Sequence, residues 1–198
     1  MNSPIRISIT GGIGSGKTYV SHILETIHHI PIYHADEKAK ELMNNSQELI
    51  SAIKSLAGPE AYRPDGSLNR EVMADYVFAS PEHIEKINHT VHPAVKRDYL
   101  KWIERQHTPL VGLESAILFE AQFEDVSDII ITIAAPLETR IERAMARDKS
   151  DKEKIIARIK AQMTQEEKIN RSDYTILNDG STALEPQIEK ILKHIKTI

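Results

Sequence analysis

Eight consecutive residues, Gly11-Gly12-Ile13-Gly14-Ser15-Gly16-Lys17-Thr18, have the types and spacing of a phosphate-binding loop, G-x-x-x-x-G-K-[ST]. Glycines let successive backbone N–H groups turn inward around a polyphosphate, where a Cβ would clash. The start of a following helix adds unpaired donors and a partial positive charge. Lys17 can reach the outer phosphates, and the Thr18 hydroxyl can ligate Mg²⁺. The loop follows Ile5-Arg6-Ile7-Ser8-Ile9-Thr10, which reads as a short buried strand, and a helical pattern begins at Lys17-Thr18. Strand, glycine-rich loop and helix together imply a site for a nucleoside triphosphate.

Other side chains fall where they could serve such a site. Asp36 directly follows a second short strand, Ile30-Pro31-Ile32-Tyr33, and so belongs at the sheet edge where ligands gather. A carboxylate there can accept a proton from an attacking hydroxyl, or it can cap a helix; position alone leaves both open. Glu114 ends the run Leu110-Val111-Gly112-Leu113, and Glu120 follows Ile117-Leu118-Phe119. Each is placed either to hold Mg²⁺, directly or through water, or to be a solvated or capping acid. Arg140, Arg143 and Arg147 share one helix face, and Arg158 and Gln162 follow. Arginines beside a phosphate loop stabilise charge on transferring oxygens, but the neighbouring Glu138, Glu142, Asp148, Asp151 and Glu153 equally suit a salt-bridged surface. His22, His28, His29 and His34 cluster in sequence without a standard ligand spacing, so no metal beyond phosphate-bound Mg²⁺ is expected. Arg70, His92, Lys96 and Arg97 show no spacing that demands a role.

Apolar, β-rich runs alternate with helical periods, which predicts an α/β fold with a parallel sheet. The strands are the two above, Leu110–Leu113, Ile129–Ile133 and Tyr174–Asn178; the continuous apolar runs at 110 and 129 suit strands covered on both faces. Helices are expected over Tyr19–Ile27, Asp36–Leu56, about Leu68–Phe78, a long segment from Pro81, Leu137–Arg147 and Ala183–Ile198. Pro93 lies inside the long segment and should bend or break it. Two helical excursions, near 36–105 and 148–171, interrupt the sheet.

The 198 residues suffice for one α/β core and a small appended subdomain. A hydrophobic share of 40% with no long apolar run suits a soluble protein. Met1-Asn2-Ser3-Pro4 leads straight into the first strand, leaving no room for a signal peptide. The absence of cysteine excludes disulfides and fits a reducing, cytoplasmic setting. A net charge of -4 argues against general nucleic-acid binding.

With these residues in view, the chain resembles the dephospho-CoA kinases along nearly its whole length. The family's Thr-Gly-Gly-Ile-Gly-Ser-Gly-Lys-Ser/Thr is matched by Thr10–Thr18, and its Gly-x-Leu-x-Arg by Gly66, Leu68 and Arg70, with Val77-Phe78 beyond. Its His-Pro is His92-Pro93, its Leu-Leu-Phe-Glu is Ile117–Glu120, and its Arg-Asp is Arg147-Asp148. The lid's Arg and Gln map to Arg158 and Gln162, and Asp-x-x-Ile-x-Asn-x-Gly maps to Asp173, Ile176, Asn178 and Gly180. The resemblance implies a P-loop kinase with a parallel five-stranded sheet flanked by helices. It would comprise a nucleotide-binding core (about 1–35, 107–147 and 172–198), a helical CoA-binding excursion (about 36–106) and a short lid (about 148–171). It implies phosphorylation of the ribose 3′-hydroxyl of dephospho-CoA by MgATP, in a cytoplasmic monomer or weak homo-oligomer acting on this small molecule, with no nucleic acid or membrane as partner. Catalytic roles would fall to Asp36, Lys17, Arg140 and Arg147. ATP contacts would come from Gly12 to Tyr19 (Gly12, Ile13, Gly14, Ser15, Gly16, Lys17, Thr18, Tyr19) and from Arg147, Arg158, Asn178 and Gly180. Substrate contacts would come from Asp36, Arg70, His92 and Glu120.

Two positions depart from the family pattern. The family's Asp-Ala-Asp is here His34-Ala35-Asp36, and Glu114-Ser115-Ala116 replaces a more apolar, proline-containing stretch. Glu114 is therefore the candidate to compensate for the missing carboxylate, with Thr18, near Mg²⁺. The rival within the architecture is an adenylate-kinase-like nucleoside or nucleotide kinase. A GTP switch is disfavoured, since neither Asp-x-x-Gly nor Asn-Lys-x-Asp occurs.

Overall fold

The computed structural model describes residues 3–195 and 197. Met1 and Asn2, on which the leader expectation partly rests, lie outside the described residues, as do Lys196 and Ile198 of the expected closing helix.

Five parallel strands form the sheet: β1 (Ile5–Thr10), β2 (Ile32–His34), β3 (Leu110–Glu114), β4 (Ile129–Ala134) and β5 (Tyr174–Leu177), in the order β2-β3-β1-β4-β5. Parallel neighbours need crossovers, and α1 (Lys17–Thr26), α6 (Leu137–Asp148) and α9 (Leu184–Ile195) supply helical cover. Every residue of β3 and β4 is buried, which explains their unbroken apolar runs. The core between sheet and helices is aliphatic: Ile7, Ile9, Ile131 and Ile133 meet Val20 and Leu24 of α1 and Ile188, Leu192 and Ile195 of α9. Burying each such side chain stabilises by roughly 1.5–3 kcal/mol.

The chain divides into two compact units. The first comprises the chain up to His34 and from Gln106 on, and so contains the whole sheet. It also contains α7 (Lys152–Lys160) and α8 (Gln165–Asn170). The second, Ala35–Arg105, is helical: α2 (Ala35–Asn45), α3 (Gln47–Ala57), α4 (Arg70–Ala79) and α5 (Pro81–Ile103). Within it α5 packs against α2, α3 and α4, burying Val91, Val95 and Tyr99.

Among the helices, two expectations change. The single helix expected over Asp36–Leu56 is two, because Ser46 takes an extended backbone and its hydroxyl accepts from Leu49 N–H, starting α3 afresh. Pro93 neither breaks nor ends α5, which runs on through Ile103. Pro93 and His89 both face solvent, so the carbonyl left without its helical partner can be hydrated.

Candidate active site

The carboxyl edge of the sheet gathers the chemistry. Thr10 ends β1 and leads into the loop 11–16, and α1 starts at Lys17. Gly14 and Gly16 hold left-handed backbones, with φ of 76° and 90°. A Cβ on Gly14 would lie 2.0 Å from the Arg140 carbonyl oxygen, and one on Gly16 would lie 2.1 Å from Asn178 Nδ2. The loop is thus shaped by close neighbours as well as by its own turns. In α1 no side chain caps the N-terminus and no acid occupies the first turn, so its leading N–H groups favour an anion.

Three distant segments brace the loop. Arg140 Nε of α6 donates to the Ile13 carbonyl at 3.0 Å, and Ile13 N–H donates to Gln162 Oε1 at 3.1 Å. Asn178 Nδ2, just past β5, donates to the Ser15 carbonyl at 2.9 Å. Asn178 is itself fixed, its N–H donating to Ala134 O at 2.7 Å and its carbonyl accepting from Arg143 Nη1 at 3.0 Å. Arg140 is buried, and burial presses its guanidinium below its ordinary pKa. Of the three arginines on the α6 face, Arg140 and Arg143 therefore touch the loop and its neighbour.

Lys17 and Glu114 are both buried, 3.7 Å apart between Nζ and Oε1. The same Oε1 accepts from the Thr18 hydroxyl at 3.2 Å, while Oε2 lies 2.7 Å from His34 Nδ1. The register of β3 with β1 and β2 sets this up, pairing Glu114 with Ile9 on one side and His34 on the other. Burial pushes the Glu114 carboxyl up, but the His34 hydrogen bond and the Lys17 charge outweigh it and hold the group below its ordinary value. The Glu114 hydrogen bond, working against burial, raises the His34 imidazole above its ordinary value.

Arg147 and Arg158 converge on one carboxylate: Arg147 Nε donates to Asp148 Oδ1 at 2.7 Å and Arg158 Nη1 to Oδ2 at 2.6 Å. The Arg147 and Arg158 hydrogen bonds hold the Asp148 carboxyl far below the usual range. Glu120 binds Lys168 Nζ through both oxygens at 3.0 Å and accepts from Met163 N–H at 2.9 Å. Lys168 is fully buried and also donates to the Ala116 carbonyl at 2.9 Å. Nothing in its charge-dense surroundings in the sequence marks this lysine as buried. Gly180 sits in a turn with φ of 91°, and Tyr19 is exposed.

The remaining sequence candidates lie in the helical unit. Asp36 is the second residue of α2, inside its first turn and not at its cap. Arg70 opens α4 and His92 lies on α5, where burial pushes its imidazole down.

A family model described as "CoaE: Dephospho-CoA kinase" matches residues 5–183. A dephospho-CoA kinase of Bacteroides fragilis is 41% identical over 189 residues, covering 95% of this chain and 91% of that protein. Among solved structures, TT1252 from Thermus thermophilus superposes with a TM-score of 0.83 at 36% identity, covering 99% of this chain and 98% of its own. The fold also matches a dephospho-CoA kinase from Campylobacter jejuni, with a TM-score of 0.66 at 22% identity, covering 96% of this chain and 95% of its own.

Proposed function

The chain belongs to the dephospho-CoA kinase family, and we propose how its own residues divide the work. The reaction is ATP-dependent phosphorylation of the ribose 3′-hydroxyl of dephospho-CoA, giving CoA and ADP and completing CoA synthesis. The observation that carries the assignment of parts is the phosphate loop itself, braced by Arg140, Gln162 and Asn178, with Lys17 buried at its side.

Loop amides and Lys17 bind the β- and γ-phosphates, Lys17 turning from Glu114 to the incoming oxygens. The donors beside them are hard oxygens, the Thr18 hydroxyl and the Glu114 carboxylate 3.2 Å apart, a set that fits Mg²⁺. Bound with ATP, Mg²⁺ supplies charge neutralisation for the phosphoryl oxygens. Asp36 orients the 3′-hydroxyl and takes its proton. Arg147 and Arg158 exchange Asp148 for phosphate oxygens, while Arg140 steadies the loop backbone. Asn178 and Gly180 flank the adenine, and Arg70, His92 and Glu120 serve the acceptor. Positioning and charge stabilisation provide most of the catalysis in such transfers. The setting in this reading is the cytoplasm, and the enzyme is a monomer or weak homo-oligomer. Among the described residues no helix is long and apolar enough to cross a membrane.

The test is ADP release from MgATP with dephospho-CoA, AMP or adenosine as sole acceptor, with ³¹P NMR of the product. Only dephospho-CoA should support turnover, and the new resonance should be a 3′-phosphomonoester. Comparable turnover with AMP would move the acceptor assignment to a nucleotide kinase.

A further inference from the structure

The two oxygens of Glu114 have different neighbours, Oε1 facing Thr18 and Lys17 and Oε2 facing His34. The imidazole is held at both ends, Nδ1 at 2.7 Å from Glu114 Oε2 and Nε2 at 3.4 Å from Glu25 Oε1 of α1. An ionised carboxylate only accepts, so the atom facing Oε2 is an Nδ1–H donor. That bond occupies Oε2 and leaves Oε1 as the oxygen beside Thr18 Oγ1 and Lys17 Nζ, at 3.2 and 3.7 Å. Without the donor, the carboxylate can rotate and offer both oxygens to Lys17, the nearest cation. It would then lose its alignment toward Thr18. Partners that fix a ligand's second oxygen commonly matter as much as the ligand itself.

We propose, on the kinase reading above, that His34 is a positioning residue: its N–H holds Oε2 of Glu114 so that Oε1 stays aimed at the cation that enters with ATP beside Thr18. The residue standing where the family pattern has an aspartate is thus no carboxylate surrogate. It orients a carboxylate carried by the neighbouring strand, and the ligand and its holder have been redistributed across β2 and β3. What the role requires is a donor at that position. Asparagine places Nδ2–H close to where the histidine has Nδ1–H, whereas alanine places nothing.

The experiment titrates Mn²⁺ into the full-length protein with saturating ATP at one fixed pH, reading free Mn²⁺ by electron paramagnetic resonance. His34→Ala is expected to weaken Mn²⁺ binding about tenfold, as loss of such an outer partner typically does. His34→Asn should recover the wild-type affinity to within about threefold, because it restores the donor. In a Glu114→Gln background the further change His34→Ala should cost less than about twofold, since the group it positions is already altered. ATP affinity measured in EDTA should differ less than about twofold between wild type and His34→Ala, which separates positioning from general damage to the loop. Unchanged Mn²⁺ affinity in His34→Ala overturns the proposal. Equal losses in the alanine and asparagine variants do so too, as does a full His34→Ala effect in the Glu114→Gln background. Wild-type turnover of dephospho-CoA is measured alongside, and its absence would count against the kinase reading while the Mn²⁺ comparison still judges His34.

Discussion

Asp36 and Asp179 show how differently two carboxylates of this chain are used. Asp36 sits in the first turn of α2, exposed, and in the proposed chemistry it takes the proton of the 3′-hydroxyl. Asp36→Asn keeps shape and removes the base, so ATP affinity should persist while kcat falls about 100-fold or more. Fluorescent-nucleotide titration and steady-state ADP release measure the two quantities, and wild-type kcat in the variant would exclude Asp36 from the chemistry. Asp179 has a structural task. Its carboxylate accepts from the backbone N–H groups of Thr182 and Ser181 at 2.7 and 2.8 Å, and these bonds hold it down at about 2. A depressed folded-state value contributes stability above the unfolded value, and that contribution is lost as pH falls through the folded one. The 179–182 turn should therefore stay fastened at pH 4 and loosen progressively toward pH 2. A ¹³C carboxyl titration of Asp179 with a midpoint near the ordinary aspartate value would contradict this. Asp36 was legible in the sequence as an acid just past a strand, whereas Asp179 had no such mark. The backbone bonds of Asp179 depend on a turn that no motif specifies.

Among the elements, α8 and the segment before it are fastened by side chains that composition hides. Thr164 and Glu167 form a capping box, Gln165 Oε1 accepts from Ala135 N–H at 3.0 Å, and Lys168 is buried against Glu120 and Ala116. Desolvating Lys168 is costly, and only its complete set of acceptors offsets it. Lys168→Ala would leave the Glu120 carboxylate, 26% exposed, without its cation. Urea unfolding should show a loss of about 3 kcal/mol, the lower end for a broken buried pair because Glu120 retains some water. Lys168→Met, which keeps the apolar stem, should lose less, and equal losses in the two variants would show that the lost ion pair and hydrogen bonds, not packing, carry the whole effect. The strands, by contrast, were legible early: Leu110–Leu113 and Ile129–Ile133 are buried on both faces and had to be continuously apolar. The second strand moved to Ile32–His34 because Pro31 offers no N–H to a ladder. The break at Ser46 went unseen because apolar spacing continues across it, although serine before Gln47-Glu48-Leu49 is itself a capping signal.

For the whole molecule, the phosphate loop gives a direct thermodynamic handle, since a ligand that binds only the folded state shifts unfolding. ATP with Mg²⁺ at 100 times its dissociation constant should stabilise by about 2.7 kcal/mol. For a chain of this size that raises Tm by about 5–10 °C. Lys17→Ala should abolish most of that shift at the same ATP concentration, read by scanning fluorimetry, and an equal shift in the variant would remove Lys17 from nucleotide binding. Loop, sheet and family were legible because they rest on contiguous residues. The bracing of the loop was not, because its contacts join residues that only the fold brings together. The bond from Asn178 to the Ser15 carbonyl spans 163 positions of sequence. Synthesis proceeds from the N-terminus, so the ribosome makes the phosphate loop long before the side chain that fastens it. A nascent chain halted before β5 would carry the full phosphate-loop sequence without a finished nucleotide site. The loop is therefore braced in full only once β5 has been made and has joined the sheet.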